Sequence, residues 1–461
     1  MKFYLLPLFK RILISLASRT RRFIFFIVGV LIYGEFRMPS PIDELNIRLS
    51  GLNLRPINKD NLDYNKMWNQ THMEQRKGNY HTAVARRIEI LESLYSNFDY
   101  IDEDYFPAIL GTSWVSNFGH LGVLGHHVLA EKQSLIPKGT RTIVTGIDFP
   151  NKQLLKIVSG KYNLINHQNG NRWTEMSSFW PLSERLQTIR LSDGFIGADE
   201  FMNLTFKNIE LSGNKDLYMS LPLDYIVKSR QQLFDLGLKE ESKFVALHIR
   251  DSGKKGDPRT QPMSSYVPAI ETLLERGIWV IKIGDCDNSE LVNHPKYIDL
   301  TKLIYNGNIL HPYILAKCMF FIATQSGPSI VARLFGTPTL HTNVSEIGST
   351  VLCSSAGSIY LPKTWCYNSG QTLSLTEIFE SKLAYAPSDP DVLKSIGIKC
   401  ISNTSDEIIK ATMEILASVE SGRVEIDESM TQINSIRKHF NAPATGNFSN
   451  AYLKNNPLFC K

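Results

Sequence analysis

The run "FVALHIRDSGKKGDPRTQP", Phe244 to Pro262, is an apolar, strand-like segment that ends in His248, Arg250 and Asp251. It continues into a loop with Lys254, Lys255 and Arg259. A chain exit needs polar residues. It does not need a guanidinium fixed at a strand tip, because desolvating one without a partner is costly. Arginine offers a planar fork of donors that matches phosphate oxygens. His248 and Arg250, two residues apart, share one side of the strand. Lys254 and Lys255 read as a solvated basic loop. The types and spacing therefore point to an anionic ligand at this strand end.

A second stretch, "IATQSGPSIVARLFGTPTL", supports the same chemistry. Gly327 permits a tight turn, and Pro328 suits a first helical turn, where its missing N–H costs nothing. The helix that follows turns its free amides and positive dipole end to the strand ends, which suits a diphosphate. Ser326 and Ser329 add hydroxyls. The plain alternative is a capped helix after a buried strand; the nearby Arg250 weighs against it. Gly284 and Asp285 end another strand, and Asn343 a fourth. Asp285 to Asp287 spell Asp-x-Asp, a three-letter match that metal-dependent transferases also carry. Asp285 reads better as a contact to ribose or base, and no metal is assigned. G-x-G-x-x-G is absent, which argues against an NAD enzyme. No P-loop or G-x-S-x-G appears.

Positioning these strand ends requires a parallel sheet. Short apolar runs alternate with helical patterns from Tyr105 to Gln168 and again from Phe244 to Thr342. The runs are continuously apolar, as strands covered on both faces are. Residues 168–220 read as irregular. The expected organisation is a segment 1–37, a helical connector 38–103, an α/β domain 104–225, a second α/β domain 226–420 and a helical tail 421–461. In such sheets ligands bind at the carboxyl ends of strands.

The net charge is +5 over 461 residues. Residues 1–37 hold seven basic residues against Glu35 alone, so the rest is near neutral and nucleic acid is not an expected partner. The apolar run Phe23–Gly34 is shorter than the roughly 20 residues that span a bilayer. Basic pairs beside such runs suit a segment lying on an anionic membrane surface. Six cysteines without C-x-x-C spacing suit a reduced protein on the cytoplasmic face of the membrane.

The segments "FVALHIRDSGKKGD", "RTQPMSSYVPAIETLLERGIWVIKIGD" and "FFIATQSGPSIVARLFGTPTLHTN" resemble a bacterial glycosyltransferase family met with polysaccharide biosynthesis. The resemblance covers roughly 105–420. "HIR" is similar to the strand end of protein O-fucosyltransferases, whose arginine holds the donor diphosphate. "SGPS…A…FGTP" is similar to the donor loop of heptosyltransferases. The resemblance implies a GT-B fold: two Rossmann-like domains facing a cleft, here with an N-terminal helical extension. It implies a nucleotide-diphosphate sugar as co-substrate and no other cofactor. The partners it implies are a glycan or lipid-linked acceptor, with the membrane surface at the N-terminus. Arg250, His248, Asp285, Ser326, Gly327, Pro328, Ser329 and Asn343 would form the donor side. In "SNFGHLGVLGHH", Asn117, Gly119 and His120 would face the acceptor, with His120 as general base and Arg250 also catalytic. His126 and His127 read as helix-surface residues. The alternatives are a nucleotide-sugar epimerase on the same fold, or a non-catalytic glycan-binding member.

Overall fold

Seven strands build the main sheet: β1 (Phe244–His248), β2 (Trp279–Lys282), β3 (Tyr297–Asp299), β4 (Phe321–Thr324), β5 (Thr339–Val344), β6 (Ile359–Pro362) and β7 (Asn447–Phe448). All pair in parallel, in the order β7-β6-β5-β4-β1-β2-β3. The protein is seen in a computed structural model. It describes chiefly residues 118–135, 151–159, 194–250, 259–284, 291–303, 307–348, 357–381, 397–440 and 446–460. Shorter described segments include strands 109–110, 143–145, 163–165 and 188–191. Residues 1–37 and nearly all of 38–103 lie outside the described residues, as do Asn117, Asp251, Lys254, Lys255, Asp285 and Asp287. Among the described residues no helix is long and apolar enough to cross a membrane.

The continuous apolar runs do become buried strands. Val245, Ala246, Leu247, Ile281, Phe321 and Ala323 are wholly inaccessible. Each large side chain so buried stabilises the fold by about 1.5–3 kcal/mol. The connecting helices include α1 (Phe118–Lys132), α2 (Val267–Glu275), α3 (Gly307–Lys317), α4 (Gly327–Leu334) and α5 (Ser405–Ser421). Thr404 starts α5 with a capping box to Glu407, and Gly422 ends it in the left-handed conformation.

The chain divides into two units, and the boundaries differ from those expected. One holds a three-stranded parallel sheet, Ile109–Leu110, Ile143–Thr145 and Asn163–Ile165. The other holds residues 118–138, 151–160 and 199–461. Helix α1 thus belongs to the unit of the seven-stranded sheet. So does the tail: β7 adds its last strand, and Met430, Ile433, Tyr452 and Phe459 sit in its core. Nor is 168–220 wholly irregular. It contains a hairpin, Thr188–Leu191 with Gly194–Gly197, and the helix Ala198–Ser212.

Helix α1 lies on α4 through glycine. A Cβ on Gly119 would stand 2.3 Å from the Cα of Gly327, and one on Gly122 2.9 Å from Val331. On Gly125 it would stand 2.5 Å from Leu334. These glycines recur every third residue and form one helix face. Three helical glycines cost about 3 kcal/mol against alanine, so the face is kept for contact. His126, expected at the surface, is fully buried on the same helix. It accepts a hydrogen bond from Arg333 of α4 at 3.1 Å and meets Phe206 edge-on.

Gly119→Ala tests this crossing. Alanine in an exposed helix would stabilise by about 1 kcal/mol; here overpacking should reverse the sign and cost about 1–3 kcal/mol. Denaturant unfolding reads the difference, and a rise in midpoint would contradict the close contact.

Candidate functional site

The sheet order places β1 and β4 side by side while the chain leaves them in opposite directions. Such a switch point opens a crevice beyond the carboxyl ends of the two strands. Each strand end is held there by the other. In register, His248 of β1 sits beside Ala323 of β4. The Arg250 backbone N–H donates to Thr324 Oγ1 at 3.0 Å, and its carbonyl accepts from Gln261 N–H at 2.8 Å. The strand tip carrying the guanidinium is therefore fixed from both sides.

His248 and Ser326 meet at this point. The Ser326 hydroxyl lies 3.0 Å from His248 Nδ1. Ser326 is also the N-cap residue of α4, in extended conformation, yet makes no side-chain cap bond. Its hydroxyl is spent on the histidine and not on the helix's own amides. Gly284, at φ +118, lies just beyond β2; a Cβ there would stand 2.9 Å from the His248 ring. Glycine thus makes the room that the imidazole fills. Burial first, then the charges of Arg250 and Lys282, lower the His248 pKa to about 4. The ring keeps some accessible surface, but it is neutral near pH 7.

The crevice carries positive charge over a helix start. Arg250 stands at the tip of β1 and Pro328 in the first turn of α4, where no N–H is lost. Ser329 is 4% exposed, and its hydroxyl has no hydrogen-bond partner among the described residues. Gly327 touches Gly119, so the partly buried His120 that follows Gly119 stands at the start of α4. The structure brings together His120, Gly119, His248, Arg250, Ser326, Gly327, Pro328 and Ser329. Asn117 and Asp285 lie outside the described residues.

Asn343 is used otherwise than expected. It is fully buried at φ +53. Its side chain accepts from Asn403 N–H at 2.7 Å and donates to the Tyr266 hydroxyl at 3.1 Å. Its own N–H donates to the Asn403 side chain at 2.6 Å. These bonds hold the side chain within the fold, at the register shift between Thr342 and Val344 of β5.

Three groups escaped the sequence reading. Gln325 Oε1 accepts from the N–H of Ser345 at 3.0 Å and of Glu346 at 3.2 Å, strapping the exits of β4 and β5 together. Lys282 and Asp299, ending β2 and β3, form a buried ion pair at 3.2 Å. A lysine inside "WVIKIG" and an aspartate inside "YIDL" were the visible signals. His311 on α3 is 6% exposed and faces Phe118 edge-on.

Two further histidines add to the pH dependence of the unit. Burial first, with His248 for His311 and Arg333 for His341, lowers both pKa values to about 3. An unfolded histidine titrates near 6.5. Between those values the unfolded chain binds protons that the folded chain refuses. Their contribution is therefore complete above about pH 6.5 and lost as pH falls, by up to ~1.4 kcal/mol per pH unit for each ring. His341 stacks on Tyr360 at 5.0 Å. His341→Phe should keep that stack and flatten the stability–pH slope between pH 6.5 and 4 by one proton. Urea unfolding at several pH values measures it, and an unchanged slope would show that His341 does not titrate this way.

No family model matches the chain, and no curated protein matches it. Solved structures do match. The chain is similar to a glycosyl transferase family 9 protein from Veillonella parvula at 12% identity, over 69% of this chain and 100% of that one, with a TM-score of 0.41. It is similar to the ADP-heptose lps heptosyltransferase II of E. coli at 14% identity, over 52% of this chain and 85% of that one, with a TM-score of 0.35. A proposed UDP-N-acetylglucosamine 2-epimerase from Listeria monocytogenes is 12% identical over 76% of this chain and 93% of that one, with a TM-score of 0.32. All three superpose only loosely on this chain.

Proposed function

We propose that the protein is a glycosyltransferase that moves a sugar from a nucleotide-diphosphate donor to a glycan or lipid-linked acceptor in surface polysaccharide synthesis. One observation carries this reading: Arg250 is fixed at the switch point beside the start of α4, whose cap hydroxyl is turned away to His248. In glycosyl transfer the bond from the anomeric carbon to the diphosphate oxygen breaks, and negative charge grows on the leaving phosphate. Preorganised positive charge and amide dipoles stabilise that charge. Arg250 and the first amides of α4 supply them, and the reading needs no divalent metal. The acceptor oxygen bonds to the anomeric carbon and gives up its proton to His120. The reading takes the three-stranded unit as the acceptor half of a two-domain GT-B enzyme. It assigns residues 1–37 to the cytoplasmic face of the membrane, where lipid-linked acceptors lie.

Calorimetry with UDP, GDP and ADP tests the donor site. Arg250→Ala should weaken the nucleotide that binds by about 1.5–3 kcal/mol, the scale of a hydrogen bond to a charged group. Unchanged affinity would remove the diphosphate from this crevice. Once a donor is found, His120→Ala should slow turnover by about 10²-fold or more with donor affinity little changed. Turnover should survive EDTA. Loss on chelation, restored by Mn²⁺ or Mg²⁺, would overturn the metal-free mechanism and promote Asp285 and Asp287 to ligands.

A further inference from the structure

His311 has no part in the machinery above, yet it stands beside it. Its ring meets Phe118, the first residue of α1, at 5.9 Å and 83°. His248, the last residue of β1, lies near enough to interact with it electrostatically. Its Nε2 is buried without a hydrogen-bond partner among the described residues, in a side chain 6% exposed. A buried polar atom left unpaired costs the full desolvation of that group. An imidazole kept at such a cost beside the strand ends points to a partner that arrives with a ligand.

Helix α3 is shaped to hold the ring there. Pro312 follows His311 inside the helix. The next amide, Tyr313 N–H, donates to the Tyr225 hydroxyl at 3.2 Å, and that hydroxyl donates to the Ile309 carbonyl. Tyr225 is thus inserted into the helix ladder at the turn that carries His311. A side chain inserted in this way is a recognised cause of helix bending. Tyr225 is 4% exposed and reaches α3 from the helix Leu223–Asp235.

We propose that His311 is a ligand-binding residue of the donor crevice, and that its Nε2 hydrogen-bonds a sugar hydroxyl of the bound nucleotide. This rests on the donor reading given above. Burial keeps the imidazole neutral, so it adds no cation for a phosphate. A neutral imidazole carries one donor and one acceptor, which matches a hydroxyl. The hydroxyl belongs either to the ribose or to the transferred sugar, and both present the same chemistry.

Calorimetry on the full chain separates the cases. The probes are inorganic diphosphate, then UDP, GDP and ADP, then UDP-glucose, GDP-glucose and ADP-glucose. His311→Phe should leave inorganic diphosphate affinity unchanged and weaken hydroxyl-bearing probes about tenfold, the scale of one hydrogen bond. His311→Gln, which can place a polar atom near the Nε2 position, should restore most of the loss. A loss already seen with nucleoside diphosphates puts the partner on ribose; a loss confined to the glucose nucleotides puts it on the transferred sugar. Without ligand, His311→Phe should melt no lower than wild type, because a phenyl ring replaces an unpaired imidazole. Wild-type affinity for every probe, an equal loss of inorganic diphosphate, or a clear drop in unliganded melting temperature would each overturn the assignment. A wild-type protein that binds no probe at all would sink the donor reading, and this assignment with it.

Discussion

Helix α1 can lie on α4 only because Gly119 carries no side chain where it meets the backbone of Gly327. That backbone contact sets the distance between the helix that presents His120 and the helix whose start faces the strand ends. Farther along the pair, the same approach lets His126 reach Arg333, whose guanidinium also covers the Phe206 ring at 4.5 Å. Arg333 is 2% exposed. A buried cation without its partners would cost several kcal/mol, so the pair resists sliding. Gly122 and Gly125 continue the contact against Val331 and Leu334. The face is a run of small residues ended by a polar latch.

The electrostatics of the crevice follow from which groups are allowed to stay charged. Arg250 keeps its charge at the strand tip, while the neighbouring imidazole of His248 is held neutral by burial and by that same arginine. Lys282 is matched to Asp299 within the sheet, so its cation is balanced. Among the described residues, Arg250 and the start of α4 put positive charge at the strand ends. In a low-dielectric setting that charge counts for more than a diffuse basic surface would.

How far the sequence showed this depends on how local each cause is. Strand β1 and its polar tip were legible because a continuous apolar run followed by His248 and Arg250 is a local pattern. The turn at Ser326, Gly327 and Pro328 was legible for the same reason. His126 was not. It read as a helix-surface residue, and a partner that it meets when buried lies 207 residues away in Arg333. Asn343 ended a strand and looked available, but its bonds go to Asn403 and Tyr266, which only the folded chain brings near. His311 was hidden inside a helical pattern because its meaning comes from Phe118 and His248. The tail read as helical, and its two-residue strand is too short to leave a period. The division into units escaped too, since α1 lies between two strands of one sheet in sequence and is grouped with the other sheet's unit in space.

The seventh strand has a consequence for how the protein reaches its fold. β7 pairs with β6 through Ile359 beside Asn447 and Tyr360 beside Phe448. Tyr452 and Phe459 then seal the core behind it. Between β6 and β7 the chain makes an antiparallel strand pair, Thr364–Tyr367 with Ile398–Ile401, then α5 and the helix Ser429–His439 before it returns. Loop closure over such a length is entropically costly and is recovered only when the final contacts form. Until then β6 presents an open edge of unpaired amides and carbonyls, the kind of surface on which a second chain can add a strand. The last strand of the chain is therefore also the cover of that edge.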